Sequence, residues 1–194
     1  MSSLMSPSYH EHVMLLYNSD DERNVAAAIY FNEGLASGQL CVHAPVGAHA
    51  SASMWDASRI SPNITGYEEN VKSGNLIIVD FKPFFEYAQK GDLFPFTQLK
   101  VDLERMLGQR IEAGKEETMQ VFADAACTLS EKGEFDECVT PESWWQRAHK
   151  EWMESRRNIR VICPHAGSVL DKNTKDRIGT VHSVTLHLHH YILN

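Results

Sequence analysis

Short apolar runs alternate along this chain with longer stretches whose apolar residues recur at helical spacing. Residues 12–19, HVMLLYNS, read as a buried strand. The run passes into NSDDE, where Ser19 and Glu22 have capping-box spacing: the hydroxyl accepts an early backbone N–H and the carboxylate reaches back. The helix predicted next presents Val25, Ala28, Ile29 and Leu35 at helical spacing, and Gly38 suits its C-terminal cap. QLCVHAPV (39–46) predicts a second strand, and TGYEENVKSG (65–74) a short helix. NLIIVDF (75–81) predicts a third strand, whose unbroken apolar character implies cover on both faces. An aromatic loop, 82–96, leads to a long helix with Leu99, Leu103, Met106, Leu107 and Ile111 on one stripe. A fourth strand is expected at 118–126. Thr140 and Pro141 open a further helix as N-cap and first-turn proline, carrying Trp144, Trp145, Ala148 and Trp152. A fifth strand is expected at 158–166. After a polar loop, alternation from Val184 predicts a last strand, although its period also permits a short helix.

Strands alternating with helices imply a three-layer α/β sandwich around a mostly parallel sheet, formed by one domain over 1–194. Composition adds exclusions. The net charge of −8 disfavours nucleic acid, which needs a basic face, and SRRNIR (155–160) is too short to supply one. No apolar run approaches the ~20 residues of a membrane span. The N-terminus lacks the basic and apolar regions of a secretory signal, so a cytoplasmic protein is expected. Cys41, Cys127, Cys138 and Cys163 have no CxxC spacing and read as reduced core thiols.

This architecture raises a chemical question. In nucleotide-hydrolysing α/β proteins the turn from first strand to first helix carries glycines and a lysine that cradle phosphates, and a strand-end carboxylate holds Mg²⁺. Asp80 has that strand-end position. The turn YNSDDERN (17–24), however, contains neither glycine nor lysine, and its three consecutive acids complement the helix dipole themselves. GQRIEAGKE (108–116) has five residues between its glycines and follows a helix, so it is no phosphate loop. The expectation is architecture without hydrolysis, with Asp80 bonded to neighbouring backbone.

His12, the strand ending in Tyr17, the acidic helix start, and Gly34, Leu35 and Gly38 before the strand at 40–42 together resemble the MEDS domain. That is the sensory domain of DcmR-type regulators in methanogens and methylotrophs, a degenerate relative of KaiC/RecA-like ATPases. Further points of resemblance are the strand at 76–80, a long central helix, VFAD at 121–124, and IRVICPH at 159–165 followed by His182. The resemblance implies a RecA/KaiC-like fold without a phosphate-binding loop, loss of ATP hydrolysis and a role in signal sensing. It supplies no catalytic residues. Such domains are often fused to a helix-turn-helix or a histidine kinase. Neither is found in this sequence, so its output is expected to pass to a separate kinase or transcription regulator.

Other residues carry competing readings. HLHH (187–190) puts His187 and His189 on one strand face, opposite Leu186 and Leu188. Imidazoles at i and i+2 suit Zn²⁺ or Ni²⁺, and His182, His165 or the His10/His12 pair could complete the shell; the alternative is a solvated face. CPH (163–165) allows a Cys163 nucleophile assisted by His165, against a packed strand cysteine. Phe81, Phe84, Phe85, Tyr87, Phe94 and Phe96 could line a pocket or interface, against ordinary core.

The functional expectation is a non-catalytic sensory or regulatory protein with no cofactor. It would bind a small molecule or a signalling protein at the carboxyl ends of the strands, and homo-oligomers fit the same reading. The expected lining is Tyr17, Asn18 and Ser19 after the first strand, Asp80, Phe81 and Lys82 after the third, Asp124 after the fourth and His165 after the fifth. The alternatives are a metal-dependent hydrolase built on the histidines, or a protein that holds ATP without hydrolysing it.

Overall fold

The computed structural model describes residues 11–46 and 60–188. The apolar runs become β1 (His12–Tyr17), β2 (Leu40–Ala44), β3 (Leu76–Ile78), β4 (Met119–Ala123), β5 (Ile159–Ala166) and β6 (Val184–His187). They form one sheet in the order β3-β2-β4-β5-β1-β6, with every pairing parallel. The helices are α1 (Asp20–Ala36), α2 (Tyr67–Lys72), α3 (Lys82–Gln89), α4 (Phe94–Glu112), α5 (Ala125–Glu131), α6 (Phe135–Glu154) and α7 (Lys172–Gly179).

All residues of β1, β2, β4 and β5 are buried, because helices cover both faces of the sheet. Met14, Leu16, Val42, Val121 and Val161 pack on one side with Leu103 and Leu107 of α4, Trp145 and Trp152 of α6, and Ile178 of α7. Val13, Leu15, Phe122 and Ile162 pack on the other side with Ala26, Ala27, Tyr30 and Phe31 of α1. The molecule is the three-layer α/β sandwich that its pattern predicts.

The start of α1 follows the sequence closely. Ser19 Oγ accepts the Glu22 N–H at 3.2 Å, and the Glu22 carboxylate accepts the Asn18 N–H at 2.9 Å. Gly38 follows the last turn at φ 73°, a left-handed conformation that glycine adopts without strain. The buried stripe differs in part from expectation: Ala28 faces inward as expected, but Val25 is exposed and Ala26 and Ala27 are buried. This helix is apolar around most of its circumference, so its period alone does not fix which side turns to the sheet.

Other differences have local causes. The expected aromatic loop contains α3 and the start of α4. Pro83 and Pro95 sit in their first turns, where a missing N–H breaks no helical bond. Asp80 Oδ1 accepts the Lys82 N–H and Asp92 Oδ1 the Phe94 N–H, so each aspartate starts a helix. α6 begins at Phe135 rather than Thr140, which puts Pro141 inside the helix; core packing of Phe135, Cys138 and Val139 carries it through. β3 is a three-residue edge strand with only Leu76 fully buried, so the expected cover on both faces is not met. The polar loop before β6 contains α7, capped by Asp171, which accepts the Thr174 N–H at 2.7 Å. Ile111 is exposed, and Arg110 takes the inward place on α4, reaching Asn75 Oδ1 and the Gly38 carbonyl at 2.8 Å each.

Candidate functional site: a buried glutamate among three histidines

The sheet-facing side of α6 carries Glu142, Trp145, His149 and Trp152 at i, i+3, i+7 and i+10, all buried. An acid at such a position needs partners. The sheet and one loop supply them. His12 opens β1, His165 lies in β5, and His182 stands two residues before β6. The β1–β5 register sets His12 beside Val161 and Met14 beside Cys163, so alternate side chains of both strands point toward α6. Glu142 Oε1 lies 2.9 Å from His165 Nε2, and Glu142 Oε2 lies 3.0 Å from His182 Nε2 and 3.4 Å from His12 Nε2. All four side chains are wholly excluded from solvent. Cys163 Sγ completes the group, 3.3 Å from His12 Nε2.

Backbone carbonyls place a hydrogen on Nδ1 of two of the rings. His12 Nδ1 is 3.0 Å from the Val181 carbonyl and His182 Nδ1 is 2.8 Å from that of Ile178. A carbonyl only accepts, so each Nδ1 carries a hydrogen, and each Nε2 faces Glu142 Oε2. Gln146 Oε1, one turn beyond Glu142, also lies 3.0 Å from His12 Nδ1. The His12 and His182 rings stack with centroids 4.2 Å apart, which aligns their Nε2 atoms. Burial by itself would push the Glu142 carboxyl up. The charge of His182 and hydrogen bonds from His12, His165 and His182 outweigh that effect and hold it well below the usual carboxylate range. The Cys163 thiol is pushed well up, first by burial and then by the charge of Glu142.

The residues expected at the strand ends are spread apart. Tyr17 is buried, its hydroxyl donating to Glu131 Oε1 at 2.9 Å beside Cys127. Asn18 and Ser19 lie exposed at the α1 cap. Phe81 is core, stacked on Phe84 with centroids 4.6 Å apart, and Lys82 is exposed. Asp124 is buried, with Oδ2 at 3.0 Å from His43 Nε2. Because β5, β4 and β2 separate β1 from β3, Tyr17 and Asp80 end strands roughly 19 Å apart. His165 turns into the α6 layer and joins the glutamate instead.

Of the metal-ligand candidates, His12, His165 and His182 converge. His187 is exposed and lines a cavity of about 560 Å³ between β6 and α7, while His189 and His10 fall outside the described residues. Sequence reading missed Glu142 and Gln146. The available signal was phase: Glu142 repeats in step with Trp145 and Trp152, an acid on the apolar stripe of its helix. All four cysteines are buried free thiols, as expected.

No protein-family model and no curated protein sequence matches the chain. Among solved structures it is similar to the crystal structure of flagellar accessory protein FlaH from Methanocaldococcus jannaschii. The TM-score is 0.47 at 9% sequence identity, covering 92% of this chain and 70% of that one, a similarity in chain path.

Proposed function

We propose that this protein is a RecA-like module that does not hydrolyse nucleotide and acts as a sensory or regulatory binding protein in signal transduction. The observation that carries the reading is the β1–α1 turn. At the place where an anion-binding fold offers free amides, Ser19 takes the Glu22 N–H and Glu22 takes the Asn18 N–H. Asp20, Asp21 and Glu22 fill the first helical turn with negative charge, which repels a polyphosphate. The sequence resemblance to MEDS domains supports the sensory role. The closed Glu142 cluster favours binding over metal-dependent hydrolysis, because a catalytic metal needs a coordination position open to substrate. The ligand is a small neutral or cationic molecule, or a signalling protein.

Calorimetry with Mg-ATP and a phosphate-release assay test the core of this proposal. We expect no release above background and no binding tighter than millimolar. Micromolar ATP affinity that disappears in Asp124→Ala would overturn it. A thermal-shift screen of small neutral and cationic compounds then searches for the ligand, because anything that binds the folded state raises Tm.

A further inference from the structure

We propose that His12, Glu142, Cys163 and His182 form a binding site for one Zn²⁺ ion. The inference rests on the buried cluster alone and is independent of the closed β1–α1 turn. Four observations carry it.

The first is geometry. Zn–N, Zn–O and Zn–S bonds of ~2.0–2.3 Å give a tetrahedron with donor–donor edges of roughly 3.3–3.8 Å. The donor atoms of these four residues all lie within 4.8 Å of one another, and three of the edges are 3.0, 3.3 and 3.4 Å. The side chains already stand at coordination spacing, and small rotations open the shorter edges.

The second is the direction of the lone pairs. With Nδ1–H of His12 and His182 committed to backbone carbonyls, both Nε2 atoms aim at Glu142 Oε2. A carbonyl holding the distal N–H of a metal-ligating histidine is the usual outer-shell arrangement. Glu142 Oε2 and His182 Nε2 are wholly buried 3.0 Å apart, with His12 Nε2 at 3.4 Å from the same oxygen, so a cation placed among them would take all three atoms as ligands.

Charge balance is the third. Zn²⁺ with one carboxylate and one thiolate is neutral, which removes most of the cost of burying ions. On binding, a Zn–S bond forms, the Cys163 S–H bond breaks, and the thiol proton leaves to solvent together with any proton that His12 or His182 Nε2 holds toward Glu142, so the metal overcomes the raised thiol pKa. Two imidazoles, one thiolate and one carboxylate suit Zn²⁺ better than the all-oxygen preference of Mg²⁺ or Ca²⁺.

The fourth is completeness. His165 donates from Nε2 to Glu142 Oε1, fixing the carboxylate so that Oε2 points at the other three donors. His165 is thus a positioning residue rather than a ligand. Cys138, Glu142 and His165 also cluster, but they offer only three donors and one of them already holds the glutamate. Four protein ligands with no solvent access describe a closed site, so the ion's role is structural or sensory.

The test uses the full chain, unfolded with chelator and refolded with Zn²⁺ or Co²⁺ alone, because the site is buried. We expect one ion per chain, retained through gel filtration. The Co²⁺ form should show the intense visible bands of tetrahedral coordination together with thiolate-to-metal charge transfer in the near ultraviolet. Cys163→Ala, a small change at a packed position, should fold, lose the charge-transfer band and bind at least tenfold more weakly. His165→Gln should keep that band while weakening affinity 10–100-fold, the usual effect of removing an outer-shell partner. Folded wild-type protein that takes up no stoichiometric ion would overturn the proposal, as would a charge-transfer band unchanged in Cys163→Ala. Either result would leave the cluster as a carboxylate neutralised by imidazole protons.

Discussion

A methyl group added at Gly34 would sit 2.5 Å from Gln120 Oε1 and 2.8 Å from the Cys41 sulfur. Glycine is used here because α1 rests directly on β2 and β4 at that point, not because of its backbone freedom. Alanine would gain about 1 kcal/mol in helix propensity, yet overpacking costs about 1–3 kcal/mol. Cys41 has one short rotor inside a central strand and Gln120 is itself buried, so neither yields freely. Gly34→Ala is therefore expected to lose about 1 kcal/mol net, seen as a lower urea midpoint with unchanged slope. Higher stability would show that Gln120 swings aside. A second prediction at this scale concerns Tyr17, whose hydroxyl donates to the half-buried Glu131. Tyr17→Phe leaves that carboxylate short of a donor and should cost about 1–2 kcal/mol in the same measurement. Single residues were legible where a local rule governs them, as for Ser19, Glu22 and Gly38. Glu142 was not. Its meaning depends on His12, His165 and His182, which reach it only through the fold, and in the sequence it is one acid in a polar helix start.

Between elements, the pairing of α4 with α6 depends on Glu104. Its carboxylate accepts the Trp152 indole N–H at 2.7 Å and binds Lys100 at 2.8 Å, while Lys100 also reaches Glu151 at 3.0 Å. Partial burial raises the Glu104 pKa, but hydrogen bonds from Lys100 and Trp152 and the charges of Lys100 and Arg157 outweigh it and leave the pKa lowered. A lowered folded pKa means that the contribution is fully present above the unfolded value, near 4.5, and is lost as pH falls through the lower folded value. Glu104→Gln should therefore destabilise at pH 7 by about 1 kcal/mol, since the site is partly exposed. The gap between the two proteins should close in urea melts taken below pH 4. A gap independent of pH would assign the effect to packing. The elements themselves were legible in proportion to their burial. β1, β2, β4 and β5 are mostly apolar runs because both faces are covered. α7 carries only Thr174 and Ile178 inward, too few to set a period, and α5 is too short to show one. The pattern of β3 resembles a central strand although the element lies at the edge, because hydrophobicity does not record strand order.

Strand order is a property of the whole molecule, and it determines how the chain can fold. β1 lies between β5 and β6, with His12 opposite Val161 and Val13 opposite Val184. The first strand thus finds both neighbours only in the last part of the sequence, while β2, β3 and β4 pair among themselves earlier. A fragment ending after α6 would expose both edges of β1, together with the apolar faces of Val13, Leu15, Met14 and Leu16. Unpaired apolar edges of this kind are templates for aggregation, and pairing across such sequence separation is slow because loop closure precedes any gain in contact. We therefore expect the whole chain to unfold in one cooperative transition as a single domain. Residues 1–157 alone should aggregate or show no cooperative melt. Supplying residues 158–194 as a separate peptide during refolding should restore part of the native circular dichroism, because β5 and β6 then close around β1. A soluble 1–157 fragment with a sharp transition of its own would show that β2, β3, β4 and their helices form an independent unit. In that case β1, β5 and β6, with His12 and His165 that the first two carry to Glu142, would be an addition to that unit rather than the closure of one domain.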